Sequence, residues 1–173
     1  MRSFVSADDS SVKCENCGAS MELNADRGVW ECPYCASEWA PETNFEGVRI
    51  LQPSGYDCPL CKTTKLAQAR IFECGLLYCE GCQGMLIQMG DLVPLTGDLR
   101  ASRGAPAYIG RPPDPKQLDR RIDCPQCRQI MDTHPYCGPG NIILDTCEPC
   151  EVHWLDRGEL HRIALAPDHT YMA

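Results

Sequence analysis

Fourteen cysteines dominate this chain of 173 residues, and twelve of them stand as six Cys-x-x-Cys pairs: 14/17, 32/35, 58/61, 79/82, 124/127 and 147/150. Two sulfurs separated by two residues converge on one side of a tight turn, about 2.3 Å from a shared ion, and two such turns complete a tetrahedral four-thiolate site. The pairs group in twos, with 14, 17 and 19 residues between the inner cysteines, close to a zinc spacing of C-x₂-C, about 15–20 residues, C-x₂-C. The expected ligands of three Zn²⁺ ions are therefore Cys14, Cys17, Cys32 and Cys35; Cys58, Cys61, Cys79 and Cys82; and Cys124, Cys127, Cys147 and Cys150. Prolines in "CPYC", "CPLC" and "CPQC" and the glycine of "CEGC" suit such turns.

Other chemistry fits the same residues. Iron in a rubredoxin-like site needs the same four thiolates, and a secreted chain of this cysteine density would form disulfides. "CPYC" at 32–35 is also a glutaredoxin-like redox tetrapeptide, in which one thiol becomes a nucleophile. Against redox catalysis, Cys14 and Cys17 precede it and no surrounding α/β pattern is present. No Ser-His-Asp order, phosphate-binding glycine loop or HExxH motif occurs, and a four-thiolate site leaves zinc no open position. The chain reads as a non-enzyme.

Each unit, of 29 to 45 residues, is too small to fold securely on its own core, so metal must supply the missing stability. The expected fold is small, metal-stabilised and mainly β: three tandem four-cysteine zinc ribbons built from β-hairpin knuckles, the last followed by a short C-terminal α-helix. The units are placed at 12–40, 56–97 and 122–166. Between them lie a connector, 41–55, and a linker, 98–121, rich in Pro, Gly and Arg and without helical or strand period, while 1–11 and 167–173 are tails. That linker predicts a third unit able to move independently.

The units are alike beyond their cysteines. "QGMLIQMGDL" follows Cys82 and "EVHWLDRGEL" follows Cys150, so Leu86 corresponds to Trp154, Ile87 to Leu155, Gly90 to Gly158 and Leu92 to Leu160; Trp39 sits four residues after Cys35. Trp154 and Leu155 predict a strand covering the metal site. Asp156 predicts an N-cap, with Glu159 completing a capping box, and "RGELHRIALA" predicts about three helical turns before Pro167. With "CPQC" at 124–127, the stretch "CEPCEVHWLDRGEL" resembles the bacterial zinc-ribbon family named after transcription factor IIB, over roughly residues 122–164. The resemblance implies Zn²⁺ on Cys124, Cys127, Cys147 and Cys150 and implies no reaction. Residues 56–95 resemble a worn second copy, in which Gln88 replaces the capping acid and Pro94 would interrupt the helix; residues 12–40 match only a generic zinc ribbon.

The formal charge is −8, and three four-thiolate Zn²⁺ sites would bring it to −14, which is poor electrostatics for gripping phosphate backbones. Residues 1–47 carry three Lys/Arg against nine Asp/Glu and residues 122–173 three against eight, whereas residues 98–121 carry six against three. The leading expectation is a protein-interaction adaptor or regulator, its acidic ends and exposed hairpin edges suited to a protein partner. The runner-up is nucleic-acid binding through Arg100, Arg103, Arg111, Lys116, Arg120 and Arg121, with Tyr108 available for stacking. A thiol redox protein or zinc reservoir is a third reading. Without a secretory h-region near Met1 or an apolar run of about 18 residues, the chain reads as soluble and cytoplasmic, with no membrane contact. Cys74, Cys137 and the four histidines are left outside the metal sets.

Overall fold

The computed structural model describes residues 12–103, 112, 114–138 and 140–166. The tails 1–11 and 167–173, with Pro167 and His169, lie outside the described residues, as do Tyr108 and Arg111 of the linker. The fold is mainly β with a few helices, and a C-terminal helix follows the last cysteine set.

The first unit is a small antiparallel sheet of β1 (Glu22–Asn24), β2 (Val29–Glu31) and β3 (Glu38–Trp39). Its own core holds Met21 and Trp30 beside Cys14 and Cys32. The second unit supplies β4 (Arg49–Asp57), β5 (Lys65–Ile71), β6 (Cys74–Tyr78), β7 (Met85–Gln88) and α1 (Leu92–Arg103). After the short α2 (Pro115–Leu118), the third supplies β8 (Asp132–Pro135), β9 (Ile143–Cys147), β10 (Val152–Leu155) and α3 (Glu159–Leu165).

The second and third units do not stand apart. Strand β10 pairs with β7 on one side and β9 on the other, so the two units share one seven-stranded sheet ordered β4-β5-β6-β7-β10-β9-β8. The expected independence of the third unit is thus replaced by a continuous hydrogen-bonded ladder. In that ladder Trp154 lies opposite Leu86, its counterpart in the repeat. A pseudo-two-fold axis therefore passes through this pair, and the chain joins two related ribbons as a symmetric dimer would.

The central strands are apolar on both faces. Leu76, Tyr78, Met85, Ile87 and Leu155 face the cluster containing Leu95 and Leu99 of α1 and Leu160 and Ile163 of α3. Leu66, Leu77, Leu86, Val152 and Trp154 face the opposite way, in a cluster with the cysteines of both units. One face carries the helices and the other the thiols, so "MLI" at 85–87 is a continuous apolar run and not an alternating one.

Two local expectations change. Pro94 falls in the first turn of α1, where a missing N–H costs nothing, so the helix runs on. Residues 98–103, read in sequence as linker, complete that helix, and Arg100 Nη2 donates to Ile163 O at 3.0 Å. The connector is likewise tied down: Glu46, buried, accepts the Gly158 N–H at 3.1 Å just before α3.

Candidate metal centres

All six Cys-x-x-Cys turns share one local build. A backbone N–H of the residue after the second cysteine reaches back to the first cysteine's carbonyl in five of them, for example Lys62 N to Cys58 O at 3.0 Å. That residue is left-handed in all six: Gly18, Ala36, Lys62, Gln83, Arg128 and Glu151 have φ between 55 and 75°. Five are not glycine, a conformation that costs about 1–2 kcal/mol each. The sequence carries a signal for it only in "CENCG".

These turns bring the twelve cysteines together as three sets: 14/17/32/35, 58/61/79/82 and 124/127/147/150, with the sulfurs of each set within 4.8 Å of one another. The first cysteine of every pair is buried and the second lies further out. Sulfur-to-sulfur separations are 3.6 Å for Cys14–Cys35, 3.5 Å for Cys17–Cys32, 3.6 Å for Cys58–Cys82, 3.8 Å for Cys61–Cys79 and 3.6 Å for Cys127–Cys147. Four sulfurs at about 2.3 Å from a common centre stand about 3.8 Å apart along a tetrahedron's edges. A disulfide would hold them at about 2.0 Å. All fourteen cysteines are free.

Held as thiolates, the four sulfurs of a set need a cation beside them. Burial pushes the Cys58 and Cys124 thiols up to about 11, and raises Cys82 and Cys150 as well, because thiolate is poorly solvated there. In the first unit the Ser37 hydroxyl, 3.1 Å from Cys35 Sγ, and the Ser37 backbone bring Cys35 down to about 6. Four thiolates in one pocket repel each other unless a divalent ion shares it. Each set is therefore able to hold one metal ion, and the donor set suits a soft or borderline metal.

Trp154 closes the seam between the second and third sets. Its ring packs against Gly84, which follows the Cys79/Cys82 turn; a Cβ there would lie 2.3 Å from Trp154 Cζ2. The covering strand foreseen from "HWL" thus shields the neighbouring unit's centre together with its own. Arg128, next to Cys127, donates to Asp57, next to Cys58, at 2.9 Å, so the two knuckles are also neighbours at the surface.

The motif around Trp154 departs from a full capping box. Glu159 Oε2 accepts the Asp156 N–H at 2.7 Å, the reverse half of the box. The Asp156 carboxylate does not cap α3, which begins behind left-handed Gly158. It accepts from Trp154 Nε1 at 3.0 Å, Gln117 Nε2 at 2.7 Å and Arg120 Nη1 at 2.6 Å. Arg120 also pairs with Asp145, which is 0% exposed and accepts from Thr133 Oγ1 at 2.6 Å. Sequence reading placed Arg120 in a solvated linker; only the fold brings it to two acids 25 and 36 residues away. Arg120→Met leaves Asp145 buried without its cation, so urea denaturation should show a loss of roughly 2–3 kcal/mol.

Glu159 is 2% exposed, and burial pushes its carboxyl up to about 7, against an ordinary value of 4.5. The folded chain holds this proton more tightly than the unfolded chain, so folding costs nothing at this group below about pH 4.5 and most above about pH 7. Stability should fall with rising pH across that window, and Glu159→Gln should flatten the slope. Denaturation of both proteins across the window, with metal content monitored, reads the difference.

Among the described residues, those set aside in sequence remain apart from the sulfur sets. Cys74 packs against the helix-side core, and burial pushes its thiol up to about 12, which favours the protonated form. Cys137 is exposed. His134 Nε2 and His153 Nδ1 meet across the Thr146 hydroxyl at 2.9 and 2.8 Å. Compared with family profiles, curated proteins and solved structures, the chain matches none. The geometry alone defines three sets that could each hold a metal ion. No helix among the described residues is long and apolar enough to cross a membrane.

Proposed function

We propose that the chain is a zinc protein of the transcription-factor-IIB ribbon type, which binds three Zn²⁺ ions through its twelve paired cysteines and acts, without catalysis, as an adaptor or regulator for a protein partner. The observation that carries this reading is the completeness of each set: four sulfurs at tetrahedral spacing leave no position for water or substrate. Zinc is favoured over iron because its closed shell makes it redox-inert, which suits centres that serve as cores. The cytoplasm, where thiols stay reduced, suits such sites.

Two features favour a protein partner. In the first unit Tyr34 is 85% and Trp39 45% exposed, aromatic groups of the kind that anchor interfaces. Residues 1–47, with three Lys/Arg against nine Asp/Glu, suit a basic partner. The edges of the large sheet are less inviting than the sequence suggests: β4 carries Pro53 and two register shifts, and β8 ends at Pro135. In the linker, Arg100 and Arg120 direct their guanidiniums to internal acceptors and so offer little to phosphates.

Native mass spectrometry of the purified chain tests the metal part; the expected result is three zinc ions per chain and fourteen reduced thiols. Capture with wild-type and Tyr34→Ser/Trp39→Ser chains tests the rest: a basic protein retained by the first and lost by the second is expected. Iron, intramolecular disulfides, or nucleic-acid binding that weakens steeply with salt would overturn the reading.

A further inference from the structure

A cavity of about 520 Å³ opens where the first unit meets β4 and β5, lined among others by Arg27, Arg49, Arg70, Phe45 and Phe72. Three of its features work against the fold. Arg49 and Arg70 are direct cross-strand partners, a placement in which like charges repel. Arg70 directs its guanidinium to Ala25 O and to Glu73, and Arg27 directs its own to Glu31 and Glu38. Arg49 Nε, by contrast, is closed off from solvent and has no hydrogen-bond partner among the described residues. Phe72 occupies the two-residue turn between β5 and β6 with φ of 49°, a left-handed position natural to Gly or Asn and strained for a bulky ring. Both phenyl rings remain open to solvent, with Arg157 5.8 Å from the Phe45 ring centre.

We propose that this cavity binds a small organic anion, its phosphate or carboxylate held by Arg49 and its apolar or aromatic body against Phe45 and Phe72. One ligand of this class would answer the arginine features and make use of the exposed Phe72 ring. Its anionic oxygens meet the Arg49 guanidinium, which has no carboxylate partner among the described residues, in a charge-assisted hydrogen bond and screen the facing Arg70. The open rings give its body an apolar surface, and the volume is that of a small-molecule site. The site is independent of the metal sets and of the adaptor role.

Calorimetric titration of the full, metal-loaded chain with phenyl phosphate, benzoate, inorganic phosphate and benzyl alcohol tests the proposal. The expected result is one-to-one binding of phenyl phosphate or benzoate, their ratio identifying the preferred anion, with inorganic phosphate at least about tenfold weaker and no binding of benzyl alcohol. Arg49→Met should weaken binding by about tenfold or more at unchanged metal content. Phe72→Asn should weaken it as well while raising the melting temperature, a combination that a purely structural phenylalanine would not give and that needs no folded Arg49 variant. Absence of binding by both organic anions at millimolar concentration, or undiminished affinity in both variants, overturns the proposal.

Discussion

Cys147→Ser is expected to remove one metal ion and to unfold the second and third units together, whereas Cys32→Ser removes one ion and leaves the seven-stranded sheet intact. The difference follows from the ladder. Cys147 ends β9, which pairs with β10, and β10 pairs with β7 of the second unit. Seven of the eight cysteines of both centres, all but Cys127, form one apolar cluster with Leu86 and Trp154, so loss of one centre opens the core of the other. Cys32 belongs to a separate cluster with Met21 and Trp30. A structural zinc ion contributes on the order of 10–16 kcal/mol of apparent binding energy in finger-sized peptides, more than most domains' whole net stability. Metal content, thermal melting and amide exchange on the two variants would check this; equal, local losses in both would show that the shared sheet does not couple the units.

The second large effect belongs to the ring at the pseudo-two-fold axis. Trp154→Ala should cost about 3–5 kcal/mol in denaturant unfolding, the range for removing a fully buried large aromatic. It also frees the Asp156 oxygen that accepts Trp154 Nε1. Gly84→Ala should destabilise from the other side, since its Cβ would meet the ring at 2.3 Å. A loss below about 1 kcal/mol for Trp154→Ala would mean that the cavity collapses without penalty.

Much of this was readable because the relevant interactions are local. The spacing of two residues within each pair and 14 to 19 between inner cysteines places the sulfurs whatever the rest of the chain does. Asp156 and Glu159 are three residues apart, and their backbone-to-carboxylate bond forms as that spacing suggests. The likeness of residues 83–92 to 151–160 was visible too, but likeness says nothing about contact. That Leu86 and Trp154 lie face to face depends on strands 68 residues apart in sequence.

Arg120 and Pro94 show why local reading fails elsewhere. A Pro/Gly/Arg-rich stretch has no period, so its residues look solvated, yet Arg120 is drawn in by two carboxylates brought together only when β9 and β10 pair. Pro94 breaks a helix only in its interior, and here it lies in the first α-helical turn, behind the single 3₁₀ turn Met89–Asp91. From sequence alone came the three sulfur sets, the mainly β hairpins and the final helix, because covalent spacing and metal geometry dictate them. The tertiary structure decided that two ribbons share one sheet, that Trp154 seals both centres and that Arg49 faces Arg70. Strand partners are chosen by burial and shape across the whole chain, which no short stretch encodes.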